Sequence, residues 1–209
     1  MKTSVVIPVK SFHKSKTRLR LSQQKTNDLC RLLLEEVIKT VSKSELIDKI
    51  IVVTNEKQVL DIIEKYDCKM ILDIYEKSVN DAIGLAETYL IENEFTHSIV
   101  LPLDVPFFYS DDLKKLLDFS DEKSVVIVPS RHFDGTNALL RTPIDSMKPR
   151  YDEGSYSFQI ESAKEFDVKI SVGLISRLML DIDNIEDLEY VIKNNIKPKF
   201  CEKIKKIIE

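Results

Sequence analysis

A three-layer α/β/α sandwich around a mostly parallel sheet is the α/β fold class this sequence predicts, on three observations. Short apolar, β-branched runs alternate with longer amphipathic segments along most of the chain. The first of these runs, residues 4–9, reads as a buried strand followed by a long loop, the arrangement in which open α/β sheets bind phosphates. At 209 residues and 43% hydrophobic content, the chain has enough apolar material for one well-buried core. With no internal repeat, low-complexity tract or interdomain linker, residues 1–209 are expected to form a single domain.

The elements follow in order. Residues 4–9 form the first strand, and Pro8 marks where its regular ladder should end. A loop of about twelve residues runs on to Ser22, and loops of that length inside compact domains tend to be functional. Residues 23–41 form a helix, because Leu29, Cys30, Leu33, Leu34, Val37, Ile38 and Val41 fall on one face. Strands are expected at residues 49–54, 69–73, 98–103 and 124–129, separated by helices at 56–66 and 80–93, the second capped by Ser78. After Pro129 the pattern changes to a short strand at 137–141, a helix at 155–166, a strand at 169–172, and a stretch at 178–183. That stretch leads into a helix at about 185–193, capped by Asn184 or Asp183. A last amphipathic segment, 200–208, carries Ile204, Ile207 and Ile208 on one face, which either closes over the core or meets a second subunit in a homodimer.

Composition excludes several function classes. The formal charge of -4 argues against a nucleic-acid partner, since phosphate backbones call for broad basic surfaces. Three cysteines without paired spacing make a disulfide framework or a zinc site a poor reading and fit a reducing cytoplasm. No apolar run approaches the roughly 18 residues a bilayer span needs, and the N-terminus enters a strand rather than a signal peptide, so a soluble protein without a membrane partner is expected. His13, His97 and His132 show neither metal spacing nor a nucleophile partner.

Four constellations carry candidate chemistry. Lys10, Lys14, Lys16, Arg18 and Arg20 follow the first strand and suit a small polyanion such as a triphosphate, whose charge they would neutralise during phosphoryl or nucleotidyl transfer. The bland alternative is a solvated lysine loop. No Gly-x-x-x-x-Gly-Lys run and no Gly-x-Gly-x-x-Gly run occurs. In Leu101-Pro102-Leu103-Asp104-Val105-Pro106 an apolar strand ends in an acid at the carboxyl edge of the sheet, placing Asp104 as a magnesium ligand alongside substrate phosphates, or as a turn cap. In Leu180-Asp181-Ile182-Asp183-Asn184 strand alternation sets both acids on one side, where one or both approach the same ion, unless Asp183 is only a helix cap. Asp134-Gly135-Thr136-Asn137 and Gly154-Ser155 place two of the chain's four glycines where a backbone turns sharply or meets a ligand. Thr136 and Asn137 offer hydrogen bonds to a substrate, and Gly154-Ser155 offers an anion site at a helix start. An ordinary hairpin turn and a plain N-cap serine are the alternatives.

Taken together, Ile7-Pro8-Val9-Lys10, Lys16-Thr17-Arg18-Leu19, Ser78-Val79-Asn80-Asp81-Ala82, Leu103-Asp104-Val105-Pro106, Gly135-Thr136-Asn137-Ala138-Leu139 and Asp181-Ile182-Asp183 resemble, in order, the motifs of the 2-phospho-L-lactate guanylyltransferases of coenzyme F-420 biosynthesis. The chain differs from the family pattern in Val79 for Leu, Asp134 before Gly135, Gln159 in the segment after Tyr151, and Asn184 after Asp183. The resemblance implies a glycosyltransferase-A-like fold of the nucleotide-diphospho-sugar transferase type. It also implies that GTP and 2-phospho-L-lactate, or phosphoenolpyruvate, condense with release of pyrophosphate. It assigns magnesium to Asp104 and Asp183, and the triphosphate and leaving group to Lys10, Lys16 and Arg18. Pro8, Val9, Lys10 and Asn80 fall to the nucleotide, and Thr136, Asn137, Gly154 and Ser155 to the acceptor. A non-catalytic nucleotide-binding protein on the same fold is the contrasting reading, and the joint presence of the cations and both acidic motifs favours catalysis over it.

Overall fold

The computed structural model describes residues 1–209, residue 17 by its backbone alone. Strand β1 (Thr3–Val9) pairs in parallel with β2 (Lys49–Thr54) on one side and β4 (His97–Val100) on the other, and β2 pairs in parallel with β3 (Lys69–Leu72). Beyond β4 lies β6 (Thr136–Thr142), antiparallel both to β4 and to β5 (Ser124–Pro129), and β7 (Lys169–Val172) closes the sheet parallel to β5. The order is therefore β3-β2-β1-β4-β6-β5-β7, a mostly parallel sheet with one reversed strand.

Two helical layers cover it. Along β1 and β2 successive side chains alternate faces: Val5, Ile7, Val9, Ile50 and Val52 join one cluster, while Val6, Ile51 and Val53 join another. The first face packs α1 (Gln23–Val41), α2 (Leu60–Lys65), α4 (Ser110–Asp118), α6 (Ile185–Lys193) and α7 (Pro198–Ile208). The second packs α3 (Val79–Glu92) and α5 (Ser155–Glu165). Helix α1 forms because its apolar stripe is continuous, and Leu29, Leu33, Leu34 and Ile38 are wholly buried, each contributing about 1.5–3 kcal/mol of transfer free energy.

Several expectations shift. The fourth strand pairs only over His97–Val100. Leu101 continues it with one bond to Val6, and Pro102, without an N–H, ends the ladder. The strand expected at 137–141 spans Thr136–Thr142 and is buried along its whole length. Residues 110–118 form a helix that was not anticipated, because Asp111, Asp112, Lys114 and Lys115 crowd its sequence around the stripe of Leu113, Leu116 and Leu117. Within the anticipated long loop lie two single turns of 3-10 helix, Phe12–Lys14 and Thr17–Leu19. The apolar face of α7 closes over its own core: Phe200, Cys201 and Ile204 are buried, and Phe200 meets the Phe107 ring edge-on at 5.8 Å. That face therefore gives no support to a homodimer.

Candidate active site

The carboxyl ends of β1 and β4 and the start of β6 open onto a cavity of about 370 Å³, the position ligands take in open α/β sheets. The loop after β1 forms its first wall and is firmly seated. Phe12 and Leu19 are buried in the core, and the Phe12 amide donates to Glu56 at 3.0 Å. Between these anchors Lys16 takes a left-handed backbone, φ 53°, and sends its side chain inward.

The Lys16 ammonium donates to Asp104 Oδ2 at 2.7 Å and to Asp183 Oδ1 at 2.9 Å. Burial pushes this amine down, yet the two carboxylates outweigh it and hold the pKa above the ordinary lysine value. A backbone bond brings the two acids together, the Ile182 amide donating to the Asp104 carbonyl at 3.0 Å. Asp183 is free to face the cavity because Asn184 is the cap of α6: its side chain accepts from the Asp187 amide at 3.0 Å, and Asp187 accepts in return from the amides of Asp183 and Asn184. Asp181 lines the same cavity, with Asn137 donating to it at 3.1 Å. Burial pushes its carboxyl up to about 6, and the charge of Asp104 adds to the rise.

The opposite wall comes from β6 and α5. Thr136 and Asn137 line it, and the buried Ser155 hydroxyl donates to Thr136 Oγ1 at 3.0 Å. Gly154 caps α5 in a left-handed conformation, φ 78°, as a sharp turn requires. In the hairpin before β6 the left-handed position belongs to Phe133, not Gly135, so Gly135 borders the cavity without being demanded by the turn.

Of the sequence-derived candidates, Pro8, Lys10, Lys16, Asp104, Thr136, Asn137, Ser155 and Asp183 meet around this cavity. Val9 adjoins it in a narrow cleft with Pro8, Lys10, Val53 and Asp73. Arg18 is exposed and outside the lining, and Gly154 acts through its backbone at the start of α5. Asn80 borders a neighbouring pocket and accepts from the Tyr151 amide at 2.8 Å. Its side chain thus fixes the segment before α5.

Three side chains here lie outside the sequence-derived candidates. Glu76 accepts from the Ser11 amide and hydroxyl and, at 2.7 Å, from Lys14, tying the loop after β3 to the basic loop. Burial would raise its carboxyl, but these donors pull it down to about 2. Tyr151 lines the cavity with a buried hydroxyl that makes no hydrogen bond among the described residues. Burial keeps that phenol protonated well above the usual range. Cys30, behind Lys16, is pushed up to about 11 by burial and is no nucleophile.

The donor set suits a hard divalent cation. Asp104 and Asp183 already share one cation, the ammonium of Lys16, and both offer oxygen donors. Among the described residues no three metal-ligating side chains form a complete cage, so phosphate oxygens and water would have to finish the coordination. That is the usual habit of magnesium.

The chain resembles known proteins along most of its length. The family described as "Guanylyl transferase CofC like" matches residues 3–207. A phosphoenolpyruvate guanylyltransferase of Conexibacter woesei is 30% identical over 90% of this chain and 86% of its own. A 2-phospho-L-lactate guanylyltransferase of Methanothermobacter thermautotrophicus is also 30% identical, over 92% of this chain and 85% of its own. A nucleotidyl transferase structure from Methanothermobacter superposes with a TM-score of 0.70 at 12% identity, covering 94% of this chain and 99% of the other. A cytidylyltransferase structure from Leptospira borgpetersenii gives 0.62 at 16% identity, covering 100% and 97%. These likenesses establish the nucleotidyltransferase fold.

Proposed function

The chain belongs to the guanylyl transferase CofC-like family, and from that premise we propose that it condenses GTP with 2-phospho-L-lactate to give lactyl-2-diphospho-5'-guanosine and pyrophosphate. An oxygen of the acceptor phosphate attacks the α-phosphorus, and the bond from that phosphorus to the bridging oxygen of the β-phosphate breaks. Because the acceptor phosphate is already ionised at neutral pH, no general base is required. Catalysis then rests on alignment and charge neutralisation.

The observation that carries this reading is the facing of two walls across one cavity, an acid pair with a basic loop on one side and polar side chains of β6 and α5 on the other. Asp104 and Asp183 would hold magnesium, which when bound supplies charge stabilisation at the transferring phosphorus. Lys10 and Lys16 lie on the side where a triphosphate would enter, and Arg18, exposed outside the lining, would reach it only from the same loop. Thr136, Asn137 and Ser155 present hydroxyl and amide groups to the acceptor, with Gly154 shaping the turn behind Ser155. Pro8, Val9 and Asn80 are given to the nucleotide in this reading, Asn80 from the neighbouring pocket.

Phosphoenolpyruvate is the second reading for the acceptor, favoured by the equal 30% identity to relatives carrying the two names. Both acids present a phosphate beside a carboxylate. Pyrophosphate release from GTP and magnesium, measured side by side with the two acceptors, tests the proposal. Preference for phosphoenolpyruvate would replace the acceptor, and inertness with both would overturn the acceptor class.

A further inference from the structure

Among the described residues, Lys16 has no neutral acceptor for its ammonium. Its two partners are the carboxylates that the reading above gives to the metal, and its ammonium lies within 3 Å of an oxygen of each. The lysine side chain is only 7% exposed, whereas Asp104 and Asp183 keep 26% and 45% of theirs open toward the cavity. Its backbone is in the left-handed region that lysine disfavours, between two single helical turns. The inward pose places the ammonium between the two carboxylates.

The neighbouring cation is engaged in the same way. Lys14 is paired with Glu76, which also accepts from Ser11. Two of the loop's five cations, Lys14 and Lys16, are thus paired with carboxylates of their own protein. A bare divalent cation would have to enter beside the Lys16 ammonium, where like charges repel at low effective dielectric. A metal–triphosphate complex has the matching charge pattern, carrying a cation for the acids and anionic oxygens for the lysine.

We propose, on the basis of the metal and nucleotide reading above, that Lys16 is the resident counter-ion of the Asp104–Asp183 pair, excludes a bare divalent cation from it, and must leave those carboxylates for the metal to bind. Lys16 then makes metal uptake depend on nucleotide, and the coupling is reciprocal.

The test uses nucleotide-free full-length protein and Mn²⁺ as the probe, with free Mn²⁺ read by its paramagnetic resonance signal. Wild type should bind weakly, Lys16→Met at least about tenfold more tightly, and Lys16→Arg as weakly as wild type. Adding Asp104→Asn to Lys16→Met should remove the gain. Lys16→Ala is a second uncharged variant should the first fail to fold, and a rise in its melting temperature on adding Mn²⁺ is an independent readout. The proposal is overturned if wild type binds as tightly as the uncharged variants, if no variant binds, or if the gain survives Asp104→Asn. Turnover enters none of these measurements, so a wrong acceptor assignment would leave them intact, and their failure would leave that assignment standing.

Discussion

Lys16 and Lys197 have the same side-chain exposure, 7%, and both hold a left-handed backbone, φ 53° and 47°. Their surroundings differ. At the open edge Lys16 meets two carboxylates. On the far side of α1, Lys197 fills all three of its donor positions, with Glu36 at 2.9 Å, Thr40 Oγ1 at 3.2 Å and the Pro106 carbonyl at 2.8 Å. Burial pushes both amines down. Two formal anions reverse that at Lys16, whereas at Lys197 one anion and two neutral acceptors do not. The first lysine is held by charge that a ligand can replace, and the second by a closed hydrogen-bond set that only folding supplies. Function and stability should therefore separate between the two.

Asp104→Asn is the variant that should break the comparison most strongly. We expect kcat/KM for pyrophosphate release to fall by about a thousandfold, or ~4 kcal/mol of transition-state stabilisation. The denaturation midpoint should move little, because Asp183 still pairs with Lys16. Steady-state kinetics and urea melts on the same preparation read both quantities, and near-normal turnover would remove this acid from the reaction.

Lys197→Met should do the reverse. It leaves Glu36 largely buried without its main partner, at a cost of about 3 kcal/mol, lowering the melting temperature by roughly 6–12 °C for a chain of this size. Turnover by the folded fraction should stay within about twofold. Replacing Glu36 by Leu in the same chain should recover much of the loss, since an apolar pair leaves no charge stranded. A large fall in kcat at a temperature where the variant is folded would contradict the separation.

Glu76→Gln sharpens the open-edge side through pH. The folded carboxyl titrates near 2, against an ordinary value of 4.5. A depressed carboxyl pKa adds stability that is present above the unfolded value and lost as pH falls through the folded one. Wild type should thus exceed the variant by about 1–2 kcal/mol at pH 7, with the gap shrinking between pH 4.5 and about 2. A gap that is constant through that window would show that the Lys14–Glu76 tie does not depend on the ionised carboxylate.

How much of this was legible depends on how local each signal is. Residues 4–9, 49–54 and 124–129 declared themselves as strands because burial on both faces selects unbroken β-branched runs. The place of β6 between β4 and β5 did not, since strand order rests on pairings between segments distant in the chain, which no local pattern carries. At the site, residue type at a strand end singled out Asp104, whereas Asp181 and Asp183 stayed alternatives on the residues alone and both line the cavity. That Asn184 rather than Asp183 caps α6 was left open by the sequence, and the reciprocal bonds with Asp187 decide it. Glu76 left no trace, because a charged loop residue has no spacing that distinguishes it from surface, and Tyr151 stood only in a segment compared with the family pattern, without a role of its own. Their partners lie 65 and 71 positions away.

Tyr151→Phe is the smallest expected effect and contrasts the two regions a last time. At Lys197 each donor has an acceptor, whereas the Tyr151 hydroxyl, beside the cavity, is buried and unpaired among the described residues. Such a group carries a desolvation penalty without return, while its ring packs with the cluster that includes Ile83, Val100 and Met147. Removing the oxygen alone keeps that packing, so the variant should be more stable by up to about 1 kcal/mol. If the hydroxyl waits for a substrate oxygen, KM for the acceptor should rise a few-fold in the same protein, with KM for GTP unchanged. Loss of stability instead would mean that the hydroxyl is already satisfied in solution, and the contrast with Lys197 would rest on the carboxylates alone.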